Sequence, residues 1–177
     1  MVRVMTSEQV LWVAGALSKS GIPVWLDGGW GVDALLGEQT RDHSDLDVVI
    51  ALADVGRASE LLRSQGFQVT EDQRPVRYVL RHETLGQVDF HPVAFDEKGD
   101  GWQALPDGGA FCYPATGFSS GSVAARTVPA LSAEVQMLTH TGYEPTEKDI
   151  RDVLLMHRRL RTPVPEEYQP FLERKTT

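Results

Sequence analysis

The sequence predicts an α/β (α+β) fold: a mixed sheet flanked by helices, with a small helical segment at the C-terminal end. Three observations carry this. Stretches with helical and strand periodicity alternate over the first two thirds of the chain. Two amphipathic helical stretches follow near its end. A chain of 177 residues, 41% apolar and 24% charged, is long enough to bury one core and excludes wholesale disorder.

The elements follow in order. Residues 7–20 read as a helix: Thr6 and Gln9 fit a capping box, Val10, Val13, Ala14 and Leu17 recur at helical spacing, and Gly21 suits the end. Residues 22–26 form a short strand that runs into Asp27-Gly28-Gly29, and residues 30–36 a helix stopped by Gly37. Residues 45–52 are a strand rich in branched side chains, and residues 54–65 a helix closed by Gly66. Residues 67–70, 76–81 and 87–94 are strand-like. Residues 96–121, rich in Gly, Pro, Asp and Ser, read as a long loop with one short strand near Phe111. A last strand is expected over 123–128, then helices over 132–141 and 146–159, the second with a capping box from Thr146 and Asp149. The expected division is a domain over 1–128 and a helical segment over 129–177 packed against it.

Composition narrows the function. Seventeen basic against 25 acidic residues give a net charge of −8, which disfavours an extended phosphate backbone as partner and favours a small, cationic one. The one cysteine, Cys112, excludes an internal disulfide and a cysteine-based zinc site. No apolar run is long enough to span a membrane, and the opening residues carry no signal-peptide core, so a cytoplasmic protein is expected.

The chemistry is concentrated in a few carboxylates. On a strand, Asp45 and Asp47 point to the same face, with Leu46, Val48 and Ile50 turned to the core. Two buried carboxylates so close need a counter-charge, and hard oxygen ligands suit Mg²⁺. Asp89 and His91 share a face of a later strand; if that strand lies beside the first, Asp89 reaches the same ion. Three carboxylates can hold one or two ions for displacement at phosphorus, and Asp89 would be placed to take a proton from an attacking hydroxyl. Gly28 and Gly29, at a strand-to-helix turn, let phosphate approach backbone N–H groups, and Arg41 could add a fixed charge.

Each piece has a plainer reading. Asp-x-Asp occurs in many surface strands, and Gly-Gly mostly marks a turn. His43 and His91 read first as hydrogen-bonding partners, and Trp25 and Trp30 as core or pocket wall. Asp33 and Arg41 could pair with each other, while Lys148, Asp149 and Asp152 could form a solvated helix face. It is the combination that stands out: Gly-Gly, then Asp-x-Asp on the next strand, then a solitary Asp on a later one.

That combination resembles the nucleotidyltransferase superfamily typified by polymerase β. More closely, residues 25–50, WLDGGWGVDALLGEQTRDHSDLDVVI, resemble the lincosamide nucleotidyltransferases of the short, LinA-like type, themselves similar to the aminoglycoside 2''-nucleotidyltransferases. The likeness continues through RHETLGQVDFHPV (81–93), the loop LPDGG (105–109) and LSAEVQMLTHTGYEPTEKDIRDV (131–153). The resemblance implies a nucleotidyltransferase fold and an enzyme that moves AMP from ATP, or another nucleotide, onto an antibiotic hydroxyl, releasing pyrophosphate. It implies Asp45, Asp47 and Asp89 as metal ligands for one or two Mg²⁺, Asp89 also as general base, and Gly28, Gly29 and Arg41 as the triphosphate site. A lincosamide is the expected acceptor, an aminoglycoside the alternative; nucleic acid and membrane are not expected partners, and a homodimer stays open.

Three other classes fit less well. A non-catalytic binding module that kept the fold would not be expected to keep Asp45, Asp47 and Asp89 together. A transferase acting on tRNA or protein would use a basic strip such as Arg151, Arg158, Arg159 and Arg161, whose plainer role is a solvated helix end. A zinc hydrolase using His43, His91 and the aspartates lacks metallohydrolase spacing.

Overall fold

The computed structural model describes residues 4–172; parts of both expected segments, residues 1–3 and 173–177, lie outside them. The chain runs α1 (Ser7–Lys19), β1 (Val24–Asp27), α2 (Gly28–Leu36), β2 (Asp45–Ala51), α3 (Val55–Ser64), β3 (Gln68–Gln73), β4 (Arg77–His82) and β5 (Gly86–Phe95). It continues through β6 (Gly101–Ala104), β7 (Ala110–Tyr113), β8 (Phe118–Val123), β9 (Arg126–Leu131), α4 (Ala133–Thr139), α5 (Glu147–Leu160) and a short α6 (Gln169–Leu172). Both expected capping boxes form, at Thr6 with Gln9 and at Thr146 with Asp149.

The main sheet has the order β3-β4-β5-β2-β1-β9-β8 and is mixed: β2 is parallel to β5 and β1 to β9, while the other neighbours are antiparallel. β6 and β7 form a hairpin that branches from the end of β5. Strand alternation gives β2 two different faces. Leu46, Val48 and Ile50 join Val10, Val13 and Leu17 of α1 and Ala58 and Leu62 of α3 in the largest core cluster. On the other face, Val49 packs with Val93, Tyr113, Leu131 and Val135, and the carboxylate end of the same face lies outside that apolar cluster. A third cluster joins Val32 of α2 and Met137 of α4 to Val153, Met156 and Tyr168, which fastens the C-terminal helices to α2. Among the described residues no helix is long and apolar enough to cross a membrane.

Two expectations need correction. Residues 96–121 are not a long loop with one strand but hold β6, β7 and most of β8. Most of their Gly, Asp and Pro residues lie between strands of four to six residues, whose pairing depends on distant partners, while Gly101 and Gly121 are themselves in strands. The strand expected over 123–128 is instead a tight hairpin: β8 ends at Val123, Ala124 and Ala125 make the turn at φ +46° and +62°, and β9 begins at Arg126. Nothing in Ala-Ala signals a turn that favours Asn-Gly. Left-handed backbone costs an L-residue roughly 1–2 kcal/mol. The double substitution Ala124→Asn, Ala125→Gly is therefore expected to stabilise the protein by about 1–2 kcal/mol, read as a higher denaturation midpoint. The expected division at residue 128 falls within β9.

Candidate active site

Register builds the site. Antiparallel pairing sets Asp27 of β1 opposite Asp47 of β2, and parallel pairing sets Asp47 opposite Asp89 of β5. Three carboxylates thus stand in a row across adjacent strands, about 4.8 Å apart in the pairing direction. Asp45 lies two residues before Asp47 on the same face, opposite Gln87. Asp47, Asp89 and His91 each offer a ligand atom within 4.8 Å of the others, a donor set that fits a divalent cation; Asp45 is outside that group. Burial raises the Asp45 carboxyl above its ordinary value, and the negative charge of Asp47 adds to the rise. A dication would relieve that repulsion.

Asp27 is the carboxylate that strand spacing did not flag. It is buried, accepts hydrogen bonds from the Gly28 N–H (2.7 Å) and the Thr139 hydroxyl (3.3 Å), and caps α2. Burial pushes its carboxyl up; His91 opposes the rise and Asp47 adds to it. The one available signal is its place as the polar end of an apolar strand, just before a Gly-Gly turn.

His91 ties this row to the β6–β7 hairpin. Its Nε2 lies 3.2 Å from Asp47 Oδ1, and its Nδ1 3.3 Å from Gln103 Nε2. Gln103 donates to the Val76 carbonyl (3.0 Å) and accepts from the Tyr113 hydroxyl (2.7 Å). Burial opposes charge on His91, but the hydrogen bond with Asp47 and the charges of Asp47, Asp27 and Asp89 outweigh it and push its pKa up to about 9. Because the folded value exceeds the ordinary 6.5, the stabilisation is fully present below pH 6.5 and is lost as pH rises through about 9. Metal-free protein in EDTA should therefore lose about 1–3 kcal/mol over that window, and His91→Gln should lose the slope; melts at a series of pH values read both.

Asp89 is held from the side of β4. Arg77 Nε donates to both its oxygens (3.0 and 2.8 Å) and Nη2 donates to Oδ2, while Nη1 reaches Glu71 Oε2 at 3.2 Å. Arg77 carries no signal of this partner in the sequence: it stands at the start of the apolar run Tyr78-Val79-Leu80, and the pairing of β4 with β5 is what brings it to Asp89.

The glycine turn sits over the row. Gly28 has φ +56°, and a Cβ there would collide with the Asp47 carboxylate; one at Gly29 would collide with His43 and the end of Arg41. Arg41 therefore borders the turn, but its guanidinium is engaged: Nε and Nη2 donate to the two oxygens of Asp152 on α5 (3.1 and 2.7 Å). Asp33 does not pair with Arg41; it accepts from the Thr40 hydroxyl (2.6 Å) and lies 2.5 Å from His43 Nε2. His43, buried against Trp30, is thus a hydrogen-bonding partner and not part of the metal-ligand group. Nor is Asp152 on a solvated face, being 2% exposed. Arg151 donates to the Thr40 carbonyl and Arg159 pairs with Glu38, so half of the basic strip is spent on binding α5 to the loop before β2.

Two clefts meet at the Asp27 end of this row; Asp45 and Asp89 line neither. One, about 280 Å³, is polar and lies between the Gly28-Gly29 turn, Arg41, Asp47 and, from α5, Lys148 and Asp152. The other, about 210 Å³, runs under the hairpin past Leu105, Phe111, Tyr113 and Leu138. Asp27, His91, Thr139 and Tyr143 line both. A larger groove of about 740 Å³ lies elsewhere, between α1, α3 and the β8–β9 turn, away from the carboxylates.

The family described as aminoglycoside-2''-adenylyltransferase matches residues 9–156. The chain belongs to that family. It is 33% identical over 149 residues to a lincosamide resistance protein of Staphylococcus haemolyticus, covering 84% of this chain and 92% of the relative. A 2''-aminoglycoside nucleotidyltransferase of Klebsiella pneumoniae is 33% identical over 60 residues, 34% of each chain. The lincomycin-bound crystal structure of the lincosamide antibiotic adenylyltransferase LnuA superposes with a TM-score of 0.78 at 32% identity, covering 86% of this chain and 96% of that one. The aminoglycoside enzyme ANT(2'')-Ia with adenylyl-2''-tobramycin superposes at 0.67 and 20% identity over 88% and 90%, which shows a shared fold. Family membership bears out the expected nucleotidyltransferase fold and makes the chain an enzyme of the nucleotidyltransferase class, with a nucleotide co-substrate and a metal implied.

Proposed function

We propose that the protein transfers AMP from ATP to a hydroxyl of a lincosamide such as lincomycin or clindamycin, with Mg²⁺, in the cytoplasm. The observation that carries this reading is the junction of the two clefts at Asp27 and His91, with Asp47 lining the polar cleft and Asp89 next to Asp47 in register. One cleft has the glycine turn and cations a triphosphate needs, the other the apolar walls that suit a drug-sized acceptor. The relative covering most of the chain is a lincosamide resistance protein, which favours that acceptor. The family description and the 60-residue likeness to 2''-aminoglycoside enzymes make an aminoglycoside the second reading.

Asp45, Asp47 and Asp89 hold one or two Mg²⁺ in this reading, and His91 fixes Asp47 from the side. When bound, the cation draws off negative charge that builds on the triphosphate oxygens during transfer. Gly28, whose own N–H is held by Asp27, and Gly29 let the triphosphate approach the backbone at the start of α2, and Arg41 and Lys148 face it across the cleft. The acceptor oxygen bonds to the α-phosphorus, the bond to pyrophosphate breaks, and the hydroxyl proton passes to Asp89. The elements before α4 then supply the metal ligands and the glycine turn, and α5 closes the nucleotide cleft with Lys148 and Asp152. All these residues belong to one chain, so the reading requires no second copy.

Mass spectrometry of the protein with ATP, Mg²⁺ and a panel of lincosamides and aminoglycosides tests it. A lincosamide carrying one added AMP is expected. No adduct on either class, from protein that binds Mg²⁺-ATP, would overturn it.

A further inference from the structure

Arg77 covers Asp89 in a way the transfer reaction does not explain. Its Nε spans both carboxylate oxygens and Nη2 takes a second bond to Oδ2, on the very group that stands in register with Asp47. Those contacts place a fixed positive charge within a few ångströms of the point where ligand atoms of Asp47, Asp89 and His91 converge. A monovalent and a divalent cation that close repel strongly even at the effective dielectric of a protein surface. The two partners also differ in exposure: the Asp89 side chain is 5% exposed and that of Arg77 38%. The carboxylate is therefore anchored in the sheet, and the guanidinium is the member with room to move. It has a second partner as well, Glu71 on the edge strand β3, 3.2 Å away and 30% exposed.

We propose that Arg77 is the counter-ion of the acidic row: it neutralises Asp89 while no divalent cation is bound, and it withdraws toward Glu71 when one binds. Metal binding and the pairing of Arg77 with Asp89 are then coupled equilibria, each weakening the other by the same factor. The proposal rests on the reading of Asp47 and Asp89 as metal ligands. It makes Arg77 a positioning residue, keeping a row of like charges folded and leaving Asp89 bare only when the site is loaded.

The test uses Mn²⁺ alone, with free ion counted by electron paramagnetic resonance, on the full chain. Arg77→Gln should bind Mn²⁺ about tenfold more tightly or better, while its metal-free form melts lower than wild type. Arg77→Lys, which keeps the charge, should stay within about threefold of wild-type affinity. In the wild-type protein the Arg77 Nε–H signal, assigned by its loss in Arg77→Lys, should shift on Mg²⁺ addition in step with metal binding, a readout that needs no stable Gln variant. Unchanged or weaker Mn²⁺ binding by folded Arg77→Gln, or an Nε–H signal unmoved at saturation, overturns the coupling and makes Arg77 a fixed support. Asp47→Asn and Asp89→Asn serve as a separate arm. If both bind Mn²⁺ as wild type does, the metal-site reading itself fails, and the coupling with it.

Discussion

Asp47→Asn is expected to lower nucleotidyl transfer on the order of a thousandfold while leaving the protein folded. Asp47 is the middle member of the row, paired in register with Asp27 on one side and Asp89 on the other, and it touches His91. Asparagine keeps its size and one carbonyl oxygen but removes the charge that a divalent ion requires. The fold should tolerate this, because the exchange also removes one of several negative charges crowded at the sheet end. A melt within a few degrees of wild type, beside transfer lost in a mass-spectrometric rate assay, is the expected pair of results. Retention of a tenth of wild-type transfer would mean that Asp47 holds no essential metal.

Gly28→Ala should strike both fold and site. The left-handed φ of +56° costs an alanine roughly 1–2 kcal/mol. The added methyl would also meet the Asp47 carboxylate and push it out of line with Asp89. Together these predict a lowered melting temperature and a loss of transfer of about a hundredfold, since small displacements of aligned groups are costly. The contrast is Gly15→Ala in α1, where an added Cβ meets nothing within 4 Å. There the helix should gain about 0.5–1 kcal/mol, with transfer unchanged. If Gly28→Ala behaved like Gly15→Ala, the turn would not be a phosphate seat.

Much of the fold and part of the site were legible beforehand because their causes are local. The capping boxes at Thr6 and Thr146, the left-handed stop at Gly37 and the branched run of β2 each depend on residues a few positions apart. The same holds for Asp45 with Asp47 and for Asp89 with His91, whose shared faces follow from strand alternation alone. The β8–β9 hairpin escaped because Ala124 and Ala125 lack turn chemistry, and pairing across six residue pairs imposes their conformation. β6 and β7 escaped because four-residue strands take their stability from partners elsewhere.

What the chain determines by itself, then, is which residue types stand at which face of which element, and hence the carboxylate chemistry. Tertiary structure alone decides who meets whom. It turns Arg41 to Asp152, 111 residues away, sets Arg77 over Asp89, and brings Asp27 into line with Asp47. The physical reason is that a buried charge must find a counter-charge or a hydrogen bond, and the partner within reach depends on strand order and register, which no short window of sequence encodes.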